Sequence, residues 1–342
     1  MAAPVGIGIG KTVLSNEEKR VDEELERVYS GIGLIYKNLK NELSKVVVGQ
    51  DEVILQILIA IFTKNHALLE GFPGLGKTLI ISTIASLMDL KFKRIQCTPD
   101  LMPSDITGTY IIEEVEGKKA FRFEQGPVFT NILLADEINR ATPKTQSALL
   151  EAMQERQISI GNATYPLEDP FFVLATQNPI EMEGTYPLPE AQIDRFMLKI
   201  LVRYPKKEEE GQIITRYTSD VIPKTKKVLD KNTLLTIQEL TRKVPISEEN
   251  KNYALEVVTR TRPENSDIAK EFLEYGASPR ASIALVLASK AKALIEGRTY
   301  VSRKDIAEMA FPVLRHRLIL NFESERRGIS TDEVIRRILS GV

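Results

Sequence analysis

The chain has 342 residues, of which 43% are hydrophobic and 27% are charged. This balance is typical of a folded globular protein, and at roughly 150 residues per domain the length predicts two domains. Basic and acidic residues nearly cancel to a net charge of −1, so no overall positive field attracts nucleic acid or anionic lipid. A nucleic acid partner is therefore not expected, although a local basic patch stays open.

Cysteine, histidine and hydropathy exclude several other classes of protein. The single cysteine, Cys97, rules out an internal disulfide framework, and the two histidines, His66 and His316, are too far apart to suggest metal-ligand spacing. The longest apolar run, residues 53–62, is far shorter than the ~20 residues of a membrane span. The N-terminus also lacks the charged segment of a signal peptide. We therefore expect a cytoplasmic protein without a membrane span.

Residues 1–44 predict an N-terminal helical extension. Residues 1–13 are small and rich in glycine, so we expect them to lack ordered structure. Apolar residues then recur at helical spacing, and Gly31 and Gly33 are expected to break that helix.

Residues 45–205 predict an α/β domain. Short apolar strands are expected at 66–70, 91–96, 131–135, 171–176 and 197–203. Helices are expected at 51–63, 77–88 and 143–154. Strands that alternate with helices predict a parallel sheet covered on both faces.

Residues 206–342 predict a separate helical domain. A charged, solvated stretch at 205–210 marks the boundary, and no strand is expected beyond it. Helix starts are indicated by Ser247, Ser278, Ser302 and Ser330.

Residues 71–78 match the phosphate-binding loop pattern G-x-x-x-x-G-K-[ST] in full, between a predicted strand and a predicted helix. Lys77 would reach the β- and γ-phosphates of ATP, and the Thr78 hydroxyl would bind Mg²⁺. The alternative is an ordinary glycine-rich turn. The residues expected to contact nucleotide here are Gly71, Pro73, Gly74, Leu75, Gly76, Lys77, Thr78 and Leu79.

Residues 131–137 form a continuous apolar strand that ends in two carboxylates, Asp136 and Glu137. Open α/β sheets bind ligands at the carboxyl ends of their strands. Asp136 would hold the Mg²⁺ hydration shell, and Glu137 would polarise the attacking water. The alternative is a surface Asp-Glu pair in a turn.

Six segments together closely resemble the MoxR family of AAA+ ATPases: 71–78, 101–108, 135–154, 175–179, 184–196 and 275–281. Their joint order and spacing are more specific than any one of them. The resemblance implies a P-loop NTPase (AAA+) fold, with a parallel-sheet core and a C-terminal all-helical lid domain.

The resemblance also implies roles for two polar residues. Asn178 fits sensor 1, which orients the lytic water or contacts the γ-phosphate; the alternative is a turn residue before Pro179. Arg280 fits sensor 2, with a solvated arginine as the alternative. Ser278 as helix cap and Pro279 as first residue place Arg280 in a first turn, where a cation is costly without a nearby anion. Bound nucleotide would supply that anion.

Arg195 fits the arginine finger that completes a neighbouring subunit's site, a role worth ~10³ to 10⁵ in rate. Alternatively, Arg195 pairs with Asp194 or Glu190 on the surface, and Arg140 is a second candidate for the trans-acting arginine.

Gly49 and Gln50 lie where such ATPases line the adenine pocket. Hairpins are expected at 110–129 and 157–167, with turns at 116–117 and 161–162; in related ATPases such hairpins project toward the pore of a ring.

The resemblance thus implies an ATPase that uses ATP and Mg²⁺ at the subunit interfaces of a hexameric ring. It further implies remodelling, maturation or metal-cofactor insertion of a client protein, often with a von Willebrand factor A domain partner. A chelatase motor subunit would differ only in its partner. A DNA motor is disfavoured by the near-zero charge and by the absence of a separate DNA-binding module. A slow nucleotide-gated scaffold is disfavoured by Glu137.

Overall fold

The computed structural model describes residues 16–115, 118–161, 163–179, 184–220 and 223–342. The expectation for residues 1–13 lies outside these ranges, as do the turn at 116–117 and part of the turn at 161–162. In the described ranges, no helix is both long enough and apolar enough to cross a membrane.

The elements alternate between strands and helices in the first two thirds of the chain. In chain order the strands are β1 (Ala67–Glu70), β2 (Phe92–Gln96), β3 (Gly108–Val115), β4 (Lys118–Gln125), β5 (Ile132–Asp136), β6 (Gln157–Ile160), β7 (Ala163–Pro166), β8 (Phe172–Gln177), β9 (Leu198–Leu201), β10 (Leu273–Tyr275) and β11 (Ile319–Leu320).

The helices, in the same order, are α1 (Asn16–Ser44), α2 (Asp51–Phe62), α3 (Lys77–Leu87), α4 (Pro103–Thr107), α5 (Pro143–Glu155), α6 (Glu190–Ile193), α7 (Lys207–Tyr217), α8 (Lys231–Lys243), α9 (Glu248–Thr259), α10 (Asp267–Phe272), α11 (Pro279–Ile295), α12 (Arg303–Leu314), α13 (Phe322–Arg326) and α14 (Thr331–Ser340). A 3₁₀ turn, Ile138–Arg140, follows β5.

The core is a five-stranded parallel sheet in the order β2-β5-β8-β1-β9, which confirms the predicted fold class. Alternate residues of β5 enter different cores: Ile132 and Leu134 pack on one face, and Leu133 and Ala135 pack on the other. Because both faces are covered, the central strands are continuous apolar runs. The carboxyl ends of β1, β5 and β8 meet at one edge, where open sheets of this kind bind ligands.

The N-terminal extension differs from the prediction, because α1 continues through Gly31 and Gly33 without a break. The reason is packing: a Cβ built on Gly33 would lie 3.0 Å from Gly297 Cα, at the end of α11. A glycine costs a helix interior about 1 kcal/mol relative to alanine, and here it permits a close approach between helices. Helix α1 packs on both α3 and α11.

The C-terminal region is mainly helical, but β10 and β11 form a small antiparallel sheet that was not expected. These strands are only two and three residues long, too short to show a period of two in the sequence. Within this region the side chain of Lys292 is buried and contacts Asp305, which also accepts hydrogen bonds from Arg298.

Both predicted hairpins are present, β3 with β4 and β6 with β7. They pack against each other through aromatic side chains. The Phe123 and Tyr165 rings stack with centroids 4.2 Å apart, and the Tyr110 and Tyr165 hydroxyls lie 2.9 Å apart.

Candidate active site

The loop between β1 and α3 has the backbone geometry of a phosphate cradle. Gly74 and Gly76 have φ angles of 83° and 75°, in the left-handed region where glycine is favoured. Gly71 is required for a different reason, since a Cβ there would lie 2.6 Å from Val202 O. Leu75 packs partly buried against the core, whereas Leu79 is exposed on the first turn of α3.

Lys77 begins α3 and turns its ammonium group back into this loop. Its Nζ donates hydrogen bonds to Gly71 O at 2.6 Å and to Phe72 O at 3.1 Å. Burial lowers the pKa of Lys77, while the nearby charges of Asp136 and Glu137 act in the opposite direction. The amino group therefore lies at the positive end of a helix, inside the concave side of the loop.

Asp136 ends β5 beside the loop, and both of its carboxylate oxygens accept hydrogen bonds. Thr176 Oγ1 donates to Oδ1 at 2.5 Å. Arg94, on the neighbouring strand β2, donates to Oδ2 from Nη2 at 2.6 Å and from Nε at 3.1 Å. These three hydrogen bonds fix the orientation of the carboxylate beside the start of α3.

Glu137 follows in the left-handed conformation, with a φ of 57°. Such a conformation is strained for a residue with a side chain and is common at functional sites. Its amide donates to Thr176 Oγ1 at 2.8 Å. Its Oε2 accepts from Gln96 Nε2 at 2.7 Å and from Arg140 Nη1 at 3.1 Å. Arg140 therefore contacts the glutamate of its own subunit.

Asn178 completes the group from the end of β8, where it is buried. The structure thus brings the predicted lysine, threonine, carboxylates and asparagine to one cleft. The residues that line this cleft are Pro73, Gly74, Lys77, Thr78, Arg94, Gln96, Asp136, Glu137 and Asn178.

Gly49 and Gln50 lie near the same edge of the sheet. Gln50 Nε2 donates to Arg203 O at 2.8 Å, just beyond the carboxyl end of β9. The next residue, Tyr204, stacks on Phe72 of the phosphate loop with ring centroids 5.1 Å apart. A second cavity, lined by Gln50, Tyr204 and Pro205 among others, therefore lies close to the loop.

Arg195 and Arg280 lie at the opposite edge of the sheet. Both line a cavity with His66, the residue before β1, whereas the phosphate loop follows β1. Four residues at about 3.3 Å each separate these edges by roughly 13 Å. The two arginines therefore do not reach the nucleotide cleft of their own chain.

The charges around these two arginines differ from the expectation. Ser278 occupies the cap position of α11, but its hydroxyl donates to Asp194 Oδ2 at 3.2 Å rather than capping the helix. The Arg280 guanidinium also contacts Asp194, at 3.5 Å, so a protein carboxylate supplies the anion expected from nucleotide. Arg195 is half-buried, and its guanidinium forms no hydrogen bond or ion pair with any residue in the described ranges.

The same cavity is strongly basic. Its charged lining comprises two carboxylates, Asp169 and Asp194, and the basic side chains of Lys64, Arg156, Arg195, Arg242, Arg280 and Arg317.

Sequence reasoning missed Arg94 and Gln96, which line the cleft, and Thr176, which bonds to Asp136 and Glu137. Arg94 and Gln96 stand two apart on β2, so they share one face near its carboxyl end. This spacing was a usable signal only once the order of the strands was known, because β2 and β5 are neighbours in the sheet but are separated by about 40 residues of chain.

The residues present fit a magnesium nucleotide. The cradle requires glycine and holds a half-buried lysine, as a triphosphate site should. Thr78 and Asp136 provide the hard oxygen ligands that Mg²⁺ prefers, and both line the cleft beside Lys77. No other cofactor is indicated by these side chains.

Comparisons with known proteins agree with this geometry. Residues 66–198 match the model of the ATPase family associated with various cellular activities (AAA), and residues 265–338 match the AAA lid domain. The chain is 47% identical over 304 residues to "Chaperone MoxR1" of Mycobacterium tuberculosis, covering 88% of this chain and 80% of that protein. It is 42% identical over 301 residues to the Bacillus subtilis protein YeaC, covering 88% and 92%.

A solved structure of a candidate ATPase from Cytophaga hutchinsonii superposes with a TM-score of 0.86 at 47% sequence identity. The alignment covers 96% of this chain and 99% of that one. Extensive identity to MoxR proteins and matches to both AAA domain models lead to one conclusion: the chain belongs to the MoxR family of AAA+ ATPases.

Proposed function

We propose that this protein hydrolyses ATP with Mg²⁺ at sites formed between the subunits of a ring, most simply a hexamer. One observation carries the proposal. Lys77, Asp136, Glu137 and Asn178 gather at one edge of the sheet, whereas Arg195 lies at the other edge without a carboxylate partner in the described ranges. A head-to-tail ring brings such opposite edges together, because each interface joins two different surfaces.

Within the cleft, each side chain has a role that follows from its position. Lys77 and the loop amides would bind the β- and γ-phosphates, and Thr78 and Asp136 would hold the metal. Bound Mg²⁺ offsets negative charge on the phosphate oxygens. Glu137 would take a proton from the attacking water while Asn178 orients it, and the Thr176 hydroxyl bonded to both acidic residues would keep them in register.

Arg195 and Arg280 would act on the neighbouring subunit's nucleotide. A guanidinium stabilises the charge that develops on the transferring phosphoryl group. Arg195 is available for this because Asp194 is already paired with Arg317 and Arg280. Arg140 remains the second candidate, although its contact with Glu137 of its own chain favours a role within one cleft.

The use of this hydrolysis would be remodelling of a client protein in the cytoplasm. The proposal draws on the relative named as a chaperone and on the two hairpins, which pack together through aromatic side chains. Maturation or metal-cofactor insertion of the client, with a von Willebrand factor A domain partner, is the form that the family resemblance suggests.

The test compares the wild type with Glu137→Gln in binding and turnover. We expect the wild type to bind ATP and to release phosphate in a Mg²⁺-dependent manner. Glu137→Gln should bind ATP with similar affinity but hydrolyse it at least ~10²-fold more slowly, since general base catalysis contributes factors of this order. Wild-type turnover in the variant would contradict the assignment. Binding without hydrolysis by the wild type would instead favour the scaffold function or a missing partner.

A further inference from the structure

Arg94 lines the nucleotide cleft, and the proposed hydrolysis gives it no role. Its two hydrogen bonds to Asp136 Oδ2, together with the bond from Thr176 to Oδ1, engage both oxygens of the carboxylate. Mg²⁺ demands near-ideal octahedral geometry and usually keeps several of its waters. A carboxylate that holds the metal must therefore present an oxygen to it or to one of these waters.

We propose that Arg94 is a counter-cation of Asp136 that is displaced when Mg²⁺ binds with the nucleotide. The inference rests on the proposed function, since it assigns Mg²⁺ to Asp136. Two cations that share one carboxylate oxygen repel each other. The ion pair between Arg94 and Asp136 therefore disfavours Mg²⁺ at Asp136, and bound Mg²⁺ disfavours the ion pair. The side chain of Arg94 is 46% exposed and that of Asp136 is 13% exposed. Arg94 is therefore the partner that can turn into solvent while the carboxylate stays in place.

The same guanidinium links the metal ligand to the catalytic glutamate. Arg94 Nη2 also donates to Gln96 Oε1 at 2.7 Å, and Gln96 Nε2 donates to Glu137 Oε2 at 2.7 Å. When Arg94 leaves, the Gln96 amide loses the donor that orients it. Metal arrival at Asp136 would then loosen the hold on Glu137, so Arg94 would be a positioning residue that couples the two events.

The test measures the Mg²⁺ concentration for half-maximal binding of a fluorescent ATP analogue to the full-length protein. Removal of a half-exposed ion pair is worth a few tenths to 1 kcal/mol, so Arg94→Ala should lower this concentration about two- to fivefold. Arg94→Lys keeps the cation but not the fork that contacts both Asp136 and Gln96, so its requirement should lie between those of the wild type and Arg94→Ala. Lys93→Ala, an exposed neighbour on the same strand, is the matched control and should not change the requirement.

Coupling through Gln96 is tested by a double-mutant cycle on the same quantity. Gln96→Ala should lower the Mg²⁺ requirement by a smaller factor, and its effect should be lost in the Arg94→Ala background because the two residues act through one contact. Additive effects would contradict the coupling.

Two results would overturn the role of Arg94. One is an unchanged Mg²⁺ requirement in Arg94→Ala; the other is weaker nucleotide binding at saturating Mg²⁺, which would mean that Arg94 binds phosphate instead. Failure of the wild type to bind magnesium nucleotide would overturn the proposed function itself, so the two failures are distinguishable. Thermal unfolding of each variant checks that loss of binding is not loss of the fold.

Discussion

The buried guanidinium of Arg317 forms an ion pair with Asp194, the residue next to Arg195, with 2.7 Å between Arg317 Nε and Asp194 Oδ1. Arg317 also donates to the backbone carbonyls of Phe196 and Met197 before β9. A side chain from the C-terminal helical region thus holds the segment that carries Arg195. Because Arg280 contacts the same carboxylate, the two proposed trans-acting arginines share one anchor.

Loss of this anchor should destabilise the protein and impair hydrolysis together. Arg317→Ala removes the shortest ion pair of a largely buried carboxylate, which keeps only Ser278 and the longer contact of Arg280, and it removes a donor to two backbone carbonyls. We therefore expect a loss of about 3 kcal/mol in the free energy of unfolding, the lower end of the range for a broken buried ion pair. Arg317→Lys keeps the charge but not the planar fork of the guanidinium, so its stability should lie between those of the wild type and Arg317→Ala. Urea unfolding measures the free energy of unfolding of both variants. A loss below about 1 kcal/mol for Arg317→Ala would be typical of a surface substitution and would contradict the anchor.

Mixed subunits test whether Arg195 acts between subunits. Arg195→Ala and Glu137→Gln should each be nearly inactive alone. In a random one-to-one mixture, about a quarter of head-to-tail interfaces pair an intact Glu137 with an intact Arg195. Phosphate release should therefore recover partly in the mixture. Absence of recovery at every ratio, with mixed rings confirmed by crosslinking, would favour a role within one subunit or a purely structural one.

The lysine of the phosphate loop should dominate nucleotide affinity. Lys77→Ala removes the cation that would face the β- and γ-phosphates, and charge-assisted hydrogen bonds of this kind are worth about 1.5–3 kcal/mol each. We expect ATP affinity to fall by at least an order of magnitude, as measured by isothermal titration calorimetry. Lys144→Ala, on the exposed side of α5, is the matched control. Wild-type affinity in Lys77→Ala would place the phosphates elsewhere.

Acid should destabilise the protein through its two histidines, both of which are held neutral. Burial lowers the pKa of His66 to about 4, and the ring bonds to Met153 O and Val173 N. Burial also lowers the pKa of His316 well below its ordinary value. The unfolded chain, with histidine pKa values of about 6.5, binds more protons below that pH.

Stability is therefore retained above about pH 6.5 and is lost as the pH falls from there toward 4, by up to about 3 kcal/mol for His66 alone. The urea midpoint measured across this range should show the decline. His66→Gln should be less stable at neutral pH but should show a shallower decline. An unchanged slope would mean that other groups determine the acid sensitivity.

Local patterns predicted much of the fold. The strands of the sheet were placed to within two residues of their observed ends, because a central strand of a parallel sheet is a continuous apolar run with abrupt ends. The phosphate loop could be located because its glycines and lysine are adjacent in sequence. Asp136 could be associated with it because it ends such a strand, whereas Asn178, just after β8, was assigned through the family resemblance.

Long-range packing explains what the patterns did not predict. Gly33 does not break α1, since it lies against Gly297 more than 250 residues away in the chain. Arg94 reaches Asp136 only because β2 pairs with β5. The position of Arg280 depends on how the C-terminal helices dock beside β9. Local sequence patterns cannot predict this docking.

If each catalytic site is built from two subunits, hydrolysis depends on assembly, and steady-state ATP hydrolysis across a wide range of protein concentration measures this dependence. Size-exclusion chromatography should be run at the same concentrations. We predict that activity per subunit rises steeply as rings assemble and then levels off. Appreciable activity per subunit that stays constant where the protein is monomeric would instead show that one subunit is sufficient for hydrolysis.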